Sequence, residues 1–229
     1  MSKDLIMNDQ DVAEMNSITW WHPIKLGDQT TPGLSVIAEE TFLNLGLPED
    51  LSGLSVLDIG AWDGYYSFAC EKRGAARVVA SDKFVWSGKV IHNGAKIDDA
   101  GFDFAHKHLD SKVEKLVASV EDLNPKKHGK FDVVLMLGVI YHAKDPIGYL
   151  EKAKAMSKGL VVIETHVDML DIDYPAARYY VNNELNSDDT NFWGFNPAAV
   201  MGMMSDIGYK NITASPVMFG TRMIFTGTV

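Results

Sequence analysis

Two glycines and an acid, Asp58, mark the stretch of this 229-residue chain best suited to hold a ligand. In Leu57-Asp58-Ile59-Gly60-Ala61-Trp62-Asp63-Gly64, an apolar run from Ser55 to Ile59 breaks at Gly60 and resumes after Gly64 in a helix-like pattern. The reading is a strand, a tight turn and the first turn of a helix. Gly60 lets the backbone leave the strand sharply, and Gly64 lets the helix start approach a bound ligand with no Cβ pressed against it. A second apolar run, Ala76 to Ser81, ends in Asp82, 18 residues beyond Gly64, where a carboxylate is placed to accept hydrogen bonds from a ribose. The spacing is Asp-x-Gly-x-x-x-Gly, and Trp62 stands where a dinucleotide fingerprint has its second glycine. An indole there obstructs a pyrophosphate, which favours a nucleoside cofactor without phosphates.

Two later apolar runs also end in polar groups. Phe131 to Leu137 leads through Gly138 to Tyr141 and His142, and Leu160 to Ile163 leads to Glu164 and His166. Strands buried on both faces read as continuous apolar runs, and sheets built from them bind ligands beyond the carboxyl ends of the strands. Asp58 and Gly60, Asp82, Tyr141 and His142, and Glu164 and His166 therefore converge on one rim. His142 is the first choice of general base, because imidazole titrates near neutrality, with Glu164 and His166 next. Helix capping or packing is the competing reading of His142. Glu164, His166 and Asp168 alternate along one strand face and could ligate a divalent cation. Such alternating groups ordinarily form hydrogen bonds instead, and no metal is assigned.

The elements that must position these groups follow the same punctuation. Strands are expected at 54–59 and 77–81, at Val113 to Ala118, from Phe131 onward and at Leu160 to His166. A helix at 63–73 joins the first two, and residues 85–110 hold one or two helices around Gly101. Asp145-Pro146 supplies an N-cap and first position for a helix running to about Met156. Asn196-Pro197 does the same for a helix to Ile207 that Gly208 ends, and strands near 210–216 and 220–228 finish the sheet as a hairpin. The alternation implies an α/β fold with a mostly parallel, seven-stranded sheet and a C-terminal antiparallel hairpin.

Residues 1–50 form an N-terminal cap ahead of this domain, which spans 51–229. The cap holds a short helix within residues 1–19, an irregular segment from Trp20 to Gly33, and a helix at 35–46 with Val36, Ile37, Phe42 and Leu43 at helical spacing. Trp20 and Trp21 in the irregular segment either pack against the main domain or wall a substrate cleft. From Val167 to Phe195 periodicity vanishes, and a polar, aromatic stretch of that length is a lid or substrate loop, assigned to 167–196. Tyr180, Asn191 and Trp193 are its substrate-facing candidates, joined by Trp20 and Trp21 from the cap.

At 46% apolar the chain suffices for one sizeable core. Its net charge is −10, its pI is near 5.1, and its densest basic run is only Lys126-Lys127-His128-Gly129-Lys130, which argues against a nucleic-acid partner and for a small-molecule one. The single cysteine, Cys70, reads as a small core residue. With no long apolar segment, a soluble cytoplasmic protein is expected. Oligomeric state is left unassigned.

Asp58-x-Gly60-x-x-x-Gly64 followed by Asp82 resembles motif I and the acidic loop of class I S-adenosylmethionine (SAM) methyltransferases. Further stretches resemble the family of the tRNA wobble-uridine carboxymethyltransferase and its stand-alone relatives. These are Trp21-His22-x-Ile24-x-Leu26-Gly27 with Thr31-Pro32-Gly33, Gly138-Val139-Ile140-Tyr141-His142, Glu164-Thr165, and Glu184-Leu185-x-x-Asp188-x-Thr190-Asn191-x-Trp193-x-x-Asn196. The resemblance runs from about residue 20 to the end. It implies the Rossmann-like class I methyltransferase fold with an N-terminal helical cap, and SAM held along Asp58, Gly60, Trp62, Gly64, Asp82, Leu137 and Tyr141. It also implies an acid just past the third strand against the adenine amino group, with Glu121 and Asp122 the candidates and a solvated loop carboxylate the alternative.

The family's tRNA enzyme uses carboxy-SAM, whose extra carboxylate is held by a lysine, a tyrosine and an arginine. By resemblance Tyr141 matches the tyrosine, Arg222 sits where the arginine would be, and Lys25 is a possible match for the lysine. The chain lacks that enzyme's larger N-terminal extension and its positive charge. The expectation is a stand-alone SAM-dependent enzyme moving a methyl group to an oxygen, or secondarily a nitrogen, of a small molecule. The alternatives are methyl or carboxymethyl transfer to tRNA, and SAM binding without transfer.

Overall fold

In the computed structural model, which describes residues 6–92, 95–217 and 220–229, the apolar runs of the sequence become the inner strands of a seven-stranded sheet. The first five residues, Leu5 among them, lie outside the described residues. The chain enters through α1 (Asp9–Ser17), capped by the Asn8 side chain, and a small hairpin of β1 (Lys25–Leu26) and β2 (Gln29–Thr30). Next come α2 (Ala38–Asn44), β3 (Ser55–Ile59), α3 (Tyr65–Lys72) and β4 (Arg77–Ser81). A second hairpin, β5 (Val90–His92) with β6 (Ala95–Ile97), precedes α4 (Ala100–His108), β7 (Glu114–Leu116) and α5 (Pro125–His128). The order closes with β8 (Phe131–Leu137), α6 (Pro146–Met156), β9 (Ser157–His166), the hairpin of β10 (Ala177–Tyr179) and β11 (Trp193–Phe195), α7 (Pro197–Ile207), β12 (Lys210–Pro216) and β13 (Arg222–Thr228).

The sheet order is β12-β13-β9-β8-β3-β4-β7, with β13 antiparallel to both its neighbours and the pairings from β9 to β7 parallel. This is the Rossmann-like arrangement with a C-terminal hairpin that the sequence implies. Strand order reverses between β3 and β8, so a crevice opens beyond their carboxyl ends.

Successive strand residues face opposite sides, so each central strand feeds two cores. Val56, Leu135, Leu137 and Val162 pack with Phe68 and Cys70 of α3 and with Phe102, Phe104 and Ala105 of α4. Leu57, Ile59, Val134, Met136 and Ile163 pack against Leu150, Ala153 and Met156 of α6 and Val200 and Met204 of α7. The cap belongs to the first of these cores through Met15, Trp20, Ile24, Leu26 and Phe42. Full burial of one such side chain contributes roughly 1.5–3 kcal/mol, which fastens the cap to the sheet domain.

Several elements differ from the expectation. The helix expected at 35–46 spans only Ala38–Asn44, and Val36 and Leu43, assigned to its apolar face, are 84% and 65% exposed. The 85–110 segment holds one α-helix; its first half is a 3₁₀ turn at Val85–Ser87 and the β5–β6 hairpin. Val90-Ile91 and Lys96-Ile97 offer too few periodic positions to signal strands beforehand. The third strand is shorter than Val113 to Ala118, and the substrate loop is ordered in part by β10 and β11.

Candidate functional site

Four parallel strands deliver their carboxyl ends to one rim. Ile59 pairs with Ser81 in the β3–β4 register, so Asp82 emerges beside Gly60, and Gly60 N–H donates to the Ser81 carbonyl at 2.8 Å. Asp82 accepts from Trp62 N–H at 3.2 Å and from Val85 N–H at 3.0 Å, while the Trp86 indole donates to the Trp62 carbonyl at 2.7 Å. These bonds hold Trp62 at φ 50°, in the left-handed region that a non-glycine residue enters only when its surroundings fix it. Asp58, 1% exposed, accepts from the Ser67 hydroxyl at 2.7 Å. Burial pushes its carboxyl up to about 6, against the opposing pull of Ser67 and His22, and burial also raises Asp82.

The two glycines have a further reason in the packing around them. A Cβ on Gly60 would meet the Val139 side chain at 2.5 Å, and one on Gly64 would meet Phe68 and Phe102 at 2.6 and 2.7 Å. Both glycines are thus required by protein packing, and both have positive φ, which a tight turn requires.

Between those glycines lies a residue that the sequence reading passed over. Asp63 is 1% exposed and accepts from Trp21 N–H at 2.9 Å, from His22 N–H at 2.7 Å and from His22 Nδ1 at 2.5 Å. It thereby straps the cap to the loop, and Trp21 stacks on Trp62 with ring centroids 5.2 Å apart. The motif Thr31-Pro32-Gly33 serves the same strap. The Thr31 hydroxyl donates to the His22 carbonyl at 2.8 Å, and a Cβ on Gly33 would come within 2.0 Å of the His22 carbonyl carbon. The shared signal was an acid inside a glycine turn together with an indole-imidazole pair 41 residues before it.

On the far side of the crevice Arg222 and Glu164 form a two-pronged ion pair, Nε to Oε1 and Nη2 to Oε2, the second at 2.7 Å. Arg222 also lies 5.1 Å from the centroid of the Tyr141 ring. Glu164, 5% exposed at its side chain, is thus committed to a guanidinium, which removes it from the candidate bases. His166 Nε2 is 3.5 Å from the Tyr180 hydroxyl, and that hydroxyl donates to Asp168 at 2.6 Å. Burial lowers the His166 pKa, burial and then Asp168 push the Tyr180 phenol up to about 12, and the Tyr180 bond lowers Asp168. Of the three groups named above for a cation, Glu164 is thus engaged by Arg222 while His166 and Asp168 share the Tyr180 hydroxyl, and no group of three or more potential ligands stands among the described residues.

His142 Nδ1 lies 2.8 Å from the Thr190 carbonyl oxygen. A carbonyl only accepts, so Nδ1 carries the proton and the lone pair of the neutral ring is on Nε2. Burial lowers the pKa, which keeps the ring neutral at pH 7. Two more bonds fasten the loop to the same turn: Phe192 N–H donates to the Tyr141 carbonyl at 2.9 Å, and the Trp193 indole donates to the Ala143 carbonyl at 2.9 Å. Trp193 is thus tied down by its polar end. Asn191, 3% exposed, donates to the Leu185 carbonyl at 2.9 Å, and its Oδ1 has no partner among the described residues.

The remaining assigned residues have protein partners of their own. Trp20 is 2% exposed, donates to the Met15 carbonyl at 2.9 Å and packs edge-on to Phe104, so of the two roles open to it the structure selects packing. Lys25 is exposed, and its ammonium donates to the Asp28 carbonyl of its own hairpin at 3.2 Å. Glu121 accepts from the Tyr149 hydroxyl at 2.8 Å, and Asp122 accepts from Lys83 at 2.7 Å and from Ser119 N–H. Leu137, 8% exposed, closes β8 in the core beneath the crevice.

The rim fits a nucleoside. A carboxylate stands at the second strand beside the glycine turn of the first, and the Trp62 indole nitrogen, a donor, is buried with no hydrogen-bond partner among the described residues.

Comparison with known proteins agrees with this geometry. Residues 37–214 match the family model described as a methyltransferase domain. The tRNA U34 carboxymethyltransferase of Pseudoalteromonas translucida is 31% identical over 173 residues, covering 72% of this chain and 47% of that protein. The protein of the same name from Helicobacter pylori is 30% identical over 168 residues, covering 71% and 59%. The chain spans about half the length of the curated relatives it matches. Among solved structures, the N-terminal domain of EvdMO1, crystallised in the presence of SAH and D-fucose, superposes with a TM-score of 0.69 at 17% identity, covering 97% of this chain and 98% of that one. Magnesium protoporphyrin IX methyltransferase from Synechocystis, with bound SAM, superposes at 0.57 and 15% identity, covering 83% and 77%.

Proposed function

The chain belongs to the methyltransferase-domain family of SAM-dependent enzymes, and we propose that within it the protein methylates a hydroxyl oxygen of a small polyhydroxylated acceptor, with His142 as general base. When bound, SAM supplies an electrophilic sulfonium methyl. The chain's own part is to hold the acceptor oxygen about 3 Å from that carbon, in line with the leaving sulfur, and to take the hydroxyl proton. The observation that carries the reading is the 2.8 Å bond from His142 Nδ1 to the Thr190 carbonyl, which leaves the lone pair of the neutral ring on Nε2 as an acceptor. Glu164 is held by Arg222, and the Tyr180 hydroxyl stands 3.5 Å in front of His166 Nε2, whereas His142 Nε2 has no hydrogen-bond partner among the described residues.

Two further points support the acceptor class and the donor. The structural neighbour of matching length was crystallised in the presence of D-fucose, a sugar bearing several hydroxyls. Arg222, which by resemblance would hold the extra carboxylate of carboxy-SAM, already carries an internal carboxylate on two of its nitrogens, in keeping with plain SAM. The test is SAH release from SAM across a panel of free and nucleotide-linked sugars, run with His142→Gln alongside the parent. We expect kcat to fall by roughly 10²- to 10⁴-fold with SAM affinity by calorimetry unchanged. Because burial depresses the His142 pKa, the parent's acid limb should lie below the ordinary imidazole value near 6.5 and vanish in the variant. Undiminished turnover by His142→Gln overturns the base, and a panel without turnover overturns the acceptor class.

A second reading, methyl or carboxymethyl transfer to a tRNA wobble uridine, draws support from the names of the curated relatives. The net charge of −10 weighs against it.

A further inference from the structure

We infer that Asp188 is a positioning residue for His142, acting through Thr190, so that the substrate loop carries the outer members of the group that orients the base. The inference rests on the reading of His142 given above. Asp188 Oδ1 accepts from the Thr190 hydroxyl at 2.6 Å and from Thr190 N–H at 2.8 Å. The Thr190 carbonyl and hydroxyl in turn lie 2.8 and 3.2 Å from His142 Nδ1. A half-buried carboxylate thus fixes one residue at both ends of its short side, and that residue fixes the imidazole.

The loop is bent to make this contact. Asn186 and Ser187, immediately before Asp188, both sit in the left-handed region at φ 57° and 56°, and neither is glycine. Two consecutive strained residues persist only where the surroundings over-determine them. Here Asp188 N–H and the buried Asn191 amide both donate to the Leu185 carbonyl side of the turn, and Leu185 is itself buried. Phe192 and Trp193 then bind the carbonyls on either side of His142, at Tyr141 and Ala143. The loop therefore grips residues 141–143 at three successive positions, and Asp188 is the acidic end of that grip.

The charged groups bearing on His142 are Asp188 from the loop, which favours the protonated ring, and Arg222 from β13, which disfavours it; Tyr141 contributes a neutral ring 4.1 Å away. Replacing Asp188 by asparagine keeps an acceptor for Thr190 but removes the charge. Its acid limb should accordingly move to lower pH, and the ring should sample both tautomers as Thr190 loosens.

The experiment compares Asp188→Asn and Thr190→Val with the parent, each also in the His142→Gln background, by sugar-dependent SAH release and by a ¹⁵N NMR titration of the His142 imidazole. We expect each single variant to lower kcat roughly 10-fold with little change in KM, and to add nothing once His142 is gone. We also expect the NMR titration of Asp188→Asn to move to lower pH. An Asp188→Asn enzyme with the parent's titration and tautomer, or equal losses in both backgrounds, overturns the inference. The NMR titration decides it without reference to turnover. A shifted imidazole in a protein whose His142→Gln variant remains active leaves the positioning intact and overturns only the base.

Discussion

Asp58 shows what this fold does to a single carboxylate. It lies at 1% exposure among Ser67, His22 and Asp82, and its pKa is pushed up to about 6 from an unfolded value near 3.9. Between those two values the folded state binds the extra proton, so stability present below about pH 4 is lost as the pH rises through about 6. Asparagine in its place retains an oxygen for the Ser67 hydroxyl and has no charge to bury. Asp58→Asn should therefore be more stable than the parent at pH 8, by on the order of 2 kcal/mol, with the gap closing below pH 4. Urea titrations at pH 4 and 8 check this; a gap independent of pH would sink it. At this scale the sequence was legible for residue types and not for partners. Glu164 and Arg222 were each readable as functional, yet they are 58 positions apart and meet only because β13 returns beside β9 with Arg222 opposite His166. Pairing across a sheet depends on register, which no local pattern specifies.

The strap between cap and loop belongs to the scale of elements. Asp63 takes three hydrogen bonds from Trp21 and His22 in a site with almost no access to water. Asp63→Ala leaves those buried donors unpaired, which should cost about 2–4 kcal/mol. The expected signs are a lowered urea midpoint, faster protease cleavage within residues 20–33, and a change in tryptophan fluorescence as Trp21 leaves Trp62; unchanged digestion would refute the strap. The central elements were readable because each has a strong local cause. The apolar strands β3, β4 and β8 fall within two residues of expectation, and Asp145-Pro146 and Asn196-Pro197 cap α6 and α7 through Gly148 and Ala199 N–H as their spacing implies. What was missed lacked such a cause. The β5–β6 and β10–β11 hairpins contribute three residues per strand, and the apolar spacing read into α2 was misleading, since Val36 lies ahead of the helix and Leu43 faces outward. Trp20 and Trp21 are adjacent and alike in type, yet one is core and the other lies over the loop, a division set by the direction the chain takes after α1.

Charge is a property of the whole molecule, and its placement bears on the acceptor. The chain carries 31 acidic and 21 basic residues, for a net charge of −10. Its densest basic cluster, Lys126, Lys127 and Lys130, lies on and after α5, ahead of the amino end of β8. The crevice opens beyond the carboxyl end of that strand, seven residues and roughly 20 Å away through the sheet. At the rim Asp58 and Asp82 lie buried near the cofactor turn, Glu164 is matched by Arg222, and Asp168 has Arg178 at 3.7 Å. A polyanion gripped by the lysines would stand on the wrong edge of a molecule whose net charge of −10 repels it, whereas a neutral sugar meets no such repulsion. The protein should therefore fail to retard bulk tRNA in an electrophoretic shift at 50 mM salt. It should also leave RNA unlabelled after incubation with methyl-labelled SAM, while releasing SAH with a hydroxylated small acceptor. Retardation that weakens steeply with added salt, together with label in the RNA, would instead make the nucleic acid the acceptor, with the basic edge as its electrostatic anchor.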